Sequence, residues 1–203
     1  MGRPDPRRFT ATDGKVLMGA TAAGLAATWG IFFWRDGLRG FAAPDGGWTA
    51  LNVLRLVPRL VYLGTPIPVA WTLAALGLHL RRPRPRLRRL ILRPGMAACT
   101  AASAAVVLEL LLPCAAALWF RSQREGWLST VFHLPETLGR VLVFRLKAPG
   151  IAVLTAWAAV LRIAGWRPEP NWIDRVGRLL GAWWIAMILL HAYMMANFWA
   201  NFQ

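Results

Sequence analysis

Residues 96–120 read MAACTAASAAVVLELLLPCAAALWF, 25 consecutive positions with one charged side chain, Glu109. Crossing the hydrocarbon core of a bilayer takes roughly 20 predominantly apolar residues. The segment must also be helical, because only a helix bonds its own backbone amides where water is absent. The stretch therefore predicts a transmembrane helix. Four further apolar runs lie at Val16–Trp34, Leu60–Leu80, Ala148–Trp166 and Leu179–Trp199. The expected fold class is an all-α integral membrane protein. It forms a single membrane domain over residues 1–203, a bundle of about five transmembrane helices with short interfacial amphipathic helices.

Whole-chain composition agrees. Of the 203 residues 57% are hydrophobic and only 16% charged, and mean hydropathy is +0.42, values that soluble domains of this size rarely combine. The net charge of +15 is carried almost entirely by arginine, with 22 Arg against two Lys. Nucleic-acid binders set such charge on soluble, aromatic-studded surfaces, whereas here it punctuates long apolar runs, which excludes that partner class.

The first run follows a basic leader, MGRPDPRRFTATDGK. At 19 residues it exceeds the about 7–15 of a signal-peptide core and is read as a retained span. Orientation follows from arginine and lysine in the connections. The N-terminal segment, the 81–95 loop and the 162–178 segment share one side and carry 15, against 9 on the other. The N-terminus is thus expected in the cytoplasm and the C-terminus outside, with the chain in the inner membrane. Trp34, Trp119, Trp127 and Trp199 fall at the outer boundary and Trp166 and Trp172 at the inner one, as an aromatic belt requires.

Two spans carry breaks. In GTPIP, residues 64–68, Thr65 can cap and Pro66 can open a helix of only 15 residues. The preceding TALNVLRLVPRL, with Arg55 and Arg59, then reads as an interfacial helix. RVLVFRLKAPG, residues 140–150, alternates basic and apolar residues and is expected to lie along the outer surface in the same way. Four spans or a re-entrant segment are the alternatives to five.

Depth along the spans singles out two residues. Glu109 lies 13 residues beyond Met96 and His191 lies 12 beyond Leu179, about 20 Å and 18 Å from the cytoplasmic side at helical rise. A charge at that depth costs at least ~2.5 kcal/mol and finds a partner inside the bundle. The expectation is a Glu109–His191 pair, with Tyr193 and Asn197 as supporting polar groups. It has two meanings: a proton- or cation-handling site, or a hydrogen bond that fixes how two helices pack.

Small residues at spacing four, Gly19, Ala23 and Ala27 in the first run and Ala97, Ala101 and Ala105 in the third, let helix backbones approach closely. They suggest that spans one and three pack together or against a partner. Beside the first stripe stand Ala20, Gly24 and Thr28. The basic cytoplasmic loop 81–95 contains Arg81, Arg82, Arg84, Arg86, Arg88, Arg89 and Arg93. This cluster suffices as a topogenic stop and also attracts anionic lipid head groups or an acidic partner.

Cofactor and catalytic signals are sparse. Cys99 and Cys114 are about 22 Å apart on one helix and cannot bridge. His79 and His191 differ in depth by about 16 Å, too far for the axial positions of one haem. His133 and Glu136, in FHLPET at residues 132–137, are close in sequence but unsupported by any nucleophile or ligand pattern. Neither a metal nor another cofactor is implied.

The opening RRFTATDGKVLMGATAAGLA, residues 7–26, resembles the start of a loose group of uncharacterised multi-pass membrane proteins of planctomycete-type bacteria. RFT, DG and an Ala/Gly-rich first span recur in that group. The resemblance covers about a tenth of the chain; it implies no activity and carries over no functional residue. The expected function is that of a non-enzymatic accessory or scaffold subunit contacting the bilayer, partner membrane proteins or anionic lipids. The alternatives are a small transporter or channel subunit using the Glu109–His191 pair, and a membrane-bound enzyme with an outer-facing site around His133.

Overall fold

A helix begins where the sequence can supply partners for the amides that its first turn leaves unbonded. The computed structural model describes residues 9–35, 60–61, 63–81, 93–124, 147–165 and 171–200, which hold five α-helices and no β-strand. Helix α1 (Ala11–Arg35) opens on a capping box. The Thr10 amide donates to Asp13 Oδ2 at 3.1 Å, and the Asp13 amide donates to Thr10 Oγ1 at 3.3 Å. Phe9 folds back over Gly14 and meets Trp172 edge to face with ring centroids 4.9 Å apart. The starts of the first and last helices therefore lie together.

Helix α2 (Pro66–Leu80) has the 15-residue length expected from the GTPIP break, with Pro66 and Pro68 in the first turn, where a missing amide costs nothing. Thr65 does not cap it: its hydroxyl turns back and donates to Val61 O at 3.2 Å. Helix α3 (Pro94–Arg124) also starts on proline. Helix α4 (Lys147–Ala164) stops before Gly165, whose φ of +67° suits the left-handed turn that ends helices. Helix α5 (Trp172–Ala200) is capped by Asn171 Oδ1, which accepts the Ile173 amide at 3.1 Å.

Residues 147–150 form the first turn of α4 rather than part of a surface segment, which corrects that part of the 140–150 reading. Residues 140–146 and the amphipathic stretch up to Arg59 lie outside the described residues.

Direction alternates along the chain. Gly24 lies against Ile67 and Thr21 against Trp71, so α2 runs antiparallel to α1. Gly95 touches Gly177 and Ala98 touches Gly181, so α3 and α5 run parallel, while Gly150 meets Trp184 and Trp157 meets Gly181, so α4 descends beside them. At the α3–α5 crossing the backbones are in contact: a Cβ on Gly177 would sit 2.5 Å from Gly95 O. Only glycine fits there.

Around this crossing the core gathers Val69, Ala98, Ala102, Val106, Val153, Trp184 and Met187 from α2, α3, α4 and α5. Alanines and valines there surround the larger Trp184 and Met187. Many large apolar side chains face outward instead, among them Met18, Leu25, Leu111, Leu154, Ile163, Leu179 and Leu189.

Among the described residues, two helices are long and apolar enough to cross a membrane, over Pro94–Ala116 and Trp172–Ala196. Two of the five expected spans thus meet the test of length and composition. Helix α2 is too short for the same test; α4 carries Lys147 and Arg162 near its two ends. Helix α1 is 25 residues long and free of charge from Val16 to Trp34.

Candidate functional site

Three tryptophans, one wholly buried and two half-buried, connect the helices. Trp71 on α2 donates its indole N–H to Thr21 Oγ1 on α1 at 2.9 Å. Trp184 on α5, wholly buried, donates to Thr72 Oγ1 on α2 at 3.0 Å, and Trp157 on α4 donates to Pro94 O on α3 at 2.8 Å. An indole is apolar apart from this one donor, so burying it without a partner would be costly. Each threonine hydroxyl is itself directed, Thr21 to Leu17 O at 2.9 Å and Thr72 to Pro68 O at 2.6 Å. Its oxygen lone pairs are left to accept from the indole. Reading tryptophan only as a boundary marker missed all three contacts, although Trp71, Trp157 and Trp184 stand well inside their apolar runs.

Asp174 provides a second buried polar contact. It is 1% exposed, and its Oδ1 accepts the Gly95 amide of α3 at 2.9 Å, so one helix caps the start of another. Oδ2 lies 3.4 Å from Arg178 Nε, one turn along α5. Cys99 is buried within electrostatic range of this carboxylate. A carboxylate at the positive end of α3 stabilises the helix, and Asp174 is therefore part of the scaffold.

Glu109 differs from Asp174. It stands in an open crevice of about 370 Å³ between α3 and α4, lined by Leu108, Leu112 and Pro113 on one side and Ala148, Ile151 and Ala152 on the other. Its Oε2 is buried and has no hydrogen-bond partner among the described residues. Pro113 follows four residues later inside the same continuous helix. Proline has no amide hydrogen, so the Glu109 backbone carbonyl lacks the donor a helix would give it. Two acceptors at one point on α3 thus lack their usual donors. The signal was present in the sequence as Glu-x-x-x-Pro.

Glu109 and His191 lie equally far, 14 residues, beyond the touching pair Gly95 and Gly177. Glu109 lines the crevice with Ala148 of the first turn of α4, and His191 is half-buried. Glu109 Oε2 accepts no hydrogen bond from His191 or from any other described residue. The crevice directs Glu109 towards α4. Tyr193 is 51% exposed, and the Asn197 side chain lies outside the described residues.

The small-residue stripes divide. Ala97 is buried and Ala101 and Ala105 are half-buried, beside the fully enclosed Ala98 and Ala102. Gly19, Ala23 and Ala27 face outward, and the adjacent Gly24 makes the close approach, where a Cβ would meet Ile67 Cα at 2.7 Å. Within the chain the principal partner of α1 is α2, not α3, so of the two expected packings of spans one and three, together or against a partner protein, the first is not the one made. In the basic loop, Arg81 is exposed and Arg93 half-buried at its two ends. Arg82, Arg84, Arg86, Arg88 and Arg89 lie outside the described residues, as do His133 and Glu136. No three His, Cys, Asp or Glu side chains are grouped to hold a metal ion among the described residues.

No family model, curated protein or solved structure matches the chain. Function must be argued from its own residues.

Proposed function

We propose that the protein is an integral inner-membrane accessory or scaffold subunit, with all five helices crossing or entering the bilayer, the N-terminus in the cytoplasm and the C-terminus outside. The observation that carries this reading is that large apolar side chains, Leu, Ile, Met and Trp, are exposed along all five described helices, while the helices approach one another closely at Gly24, Gly95, Gly150, Gly177 and Gly181. In water such a surface would be an association hazard. In lipid it is the ordinary outer face of a bundle, whose cohesion comes from close packing and polar contacts such as the three indole bonds. The basic 81–95 loop would then lie at the cytoplasmic surface beside anionic head groups.

Purification of the tagged chain from membranes in mild detergent tests the scaffold reading. Specific stoichiometric co-purification of a membrane protein supports it, and a chain that emerges alone at full yield overturns it. Reporter fusions at the two termini test the topology.

The common level of Glu109 and His191 favours a second reading, a transporter or channel subunit. Proton flux into liposomes that is abolished by Glu109→Gln supports this reading; unchanged flux leaves the scaffold.

A further inference from the structure

From the crevice between α3 and α4 we infer that Glu109 is the docking point for a lysine or arginine carried at mid-span by a transmembrane helix of a partner protein. The inference rests on the membrane reading above and names the chemistry of the partner.

Three observations lead to it. The crevice holds a buried carboxylate oxygen without a hydrogen-bond partner among the described residues, and Pro113 leaves the backbone carbonyl of the same residue without its helical donor. Unmet acceptors in hydrocarbon are strongly unfavourable, so the site calls for a group with several N–H donors. An ammonium has three and a guanidinium five, and neither is an acceptor. A basic group also complements the charge.

The crevice is open rather than enclosed, and Leu108, Leu112 and Ile151 beside it are exposed, so it is reached sideways from the lipid phase. An approaching helix can lay leucine-sized residues against these while its basic side chain enters. The chain's own nearest ammonium, on Lys147, is exposed and makes no ion pair with Glu109. A basic side chain on a lone helix in lipid is itself expensive to bury, so pairing relieves both partners.

The test reconstitutes the full chain, carrying a donor fluorophore at its N-terminus, in phosphatidylcholine vesicles. The probe is an acceptor-labelled Leu/Ala spanning peptide with a central Lys, compared with the same peptide with a central Leu. Half-maximal energy transfer should need an about tenfold lower mole fraction of the Lys peptide. Glu109→Leu should remove the preference while leaving helical circular dichroism and gel-filtration behaviour unchanged. Pro113→Ala keeps the carboxylate and returns an amide to the carbonyl, so the preference should shrink but survive.

Equal binding of the two peptides to the wild-type chain overturns the inference, as does a Lys preference that persists in Glu109→Leu. Alkaline carbonate treatment of the vesicles separates the two levels of failure. A chain released by carbonate overturns the membrane reading, and a retained chain without Lys preference overturns the docking point alone.

Discussion

Thr72→Val tests the reading of the buried indoles most directly. Thr72 and Trp184 are both wholly buried, and their bond, 3.0 Å long, joins α2 to α5. Valine has nearly the shape of threonine, so the substitution leaves packing intact and removes the acceptor. A buried donor left unmatched costs about 1–3 kcal/mol in water-soluble proteins. Measured interhelical hydrogen bonds in a membrane average about 0.6 and reach about 1.7 kcal/mol. The ranges overlap at about 1–2 kcal/mol, a change of roughly 5–30-fold in the folding equilibrium.

The assay is unfolding of the purified chain in dodecyl maltoside by added dodecyl sulfate, followed by circular dichroism. Thr155→Val is the control, because Thr155 is exposed and its hydroxyl bonds only within α4, to Ile151 O and Ala152 O. Its cost should stay within about 0.5 kcal/mol. Adding Trp184→Phe to Thr72→Val should cost less than Trp184→Phe costs alone, because the indole has already lost its partner. Equal stability of Thr72→Val and wild type, or equal effects of the two valine substitutions, would refute the assignment of the bond as a stabilising contact.

Three other predictions follow from close contacts. Gly177→Ala forces a methyl to within 2.5 Å of Gly95 O and should destabilise by about 1–3 kcal/mol. Gly19→Ala, with nothing within 4 Å, should be neutral or gain up to about 1 kcal/mol from helix propensity; the same detergent titration ranks them, and a reversed order counts against the α3–α5 crossing. Asp174→Ala removes the acceptor of the Gly95 amide and should cost about 0.5–2 kcal/mol, as loss of a helix cap does, while Asp174→Asn keeps an oxygen in place and should cost less. A membrane-permeable maleimide should label half-buried Cys114 well before buried Cys99; mass spectrometry of digested protein reads the order, and faster labelling of Cys99 contradicts the α2–α3–α5 packing.

The elements most legible in the sequence were those set by local chemistry. The two prolines after Thr65 suit the first turn of α2, which begins at Pro66, because the amides they lack have no helical acceptor there. The direction in which each helix faces was less legible. Gly19 and Gly24 belong to neighbouring stripes about 140° apart on α1, and both stripes are small enough to pack. The choice of Gly24 is made by Ile67 on a different helix.

The candidate site shows the same division. Glu109 stood out as the lone carboxylate of its run, and counting residues put His191 beside it in depth. Depth says nothing about azimuth, however, and α4 occupies the direction in which Glu109 points. Pro113 was visible four residues on and could have been used, since its effect on the Glu109 carbonyl is local.

The indole bonds also bear on biosynthesis. Their partners are 50, 63 and 112 residues apart, for Trp71–Thr21, Trp157–Pro94 and Trp184–Thr72. A ribosome delivers the chain from its N-terminus, so the contact between α1 and α2 can close first, that between α4 and α3 next, and that between α5 and α2 last. Thr72 must wait until the final helix arrives. Its hydroxyl donates meanwhile to Pro68 O within its own helix, so α2 can form early without an unbonded hydroxyl donor and still receive the last indole.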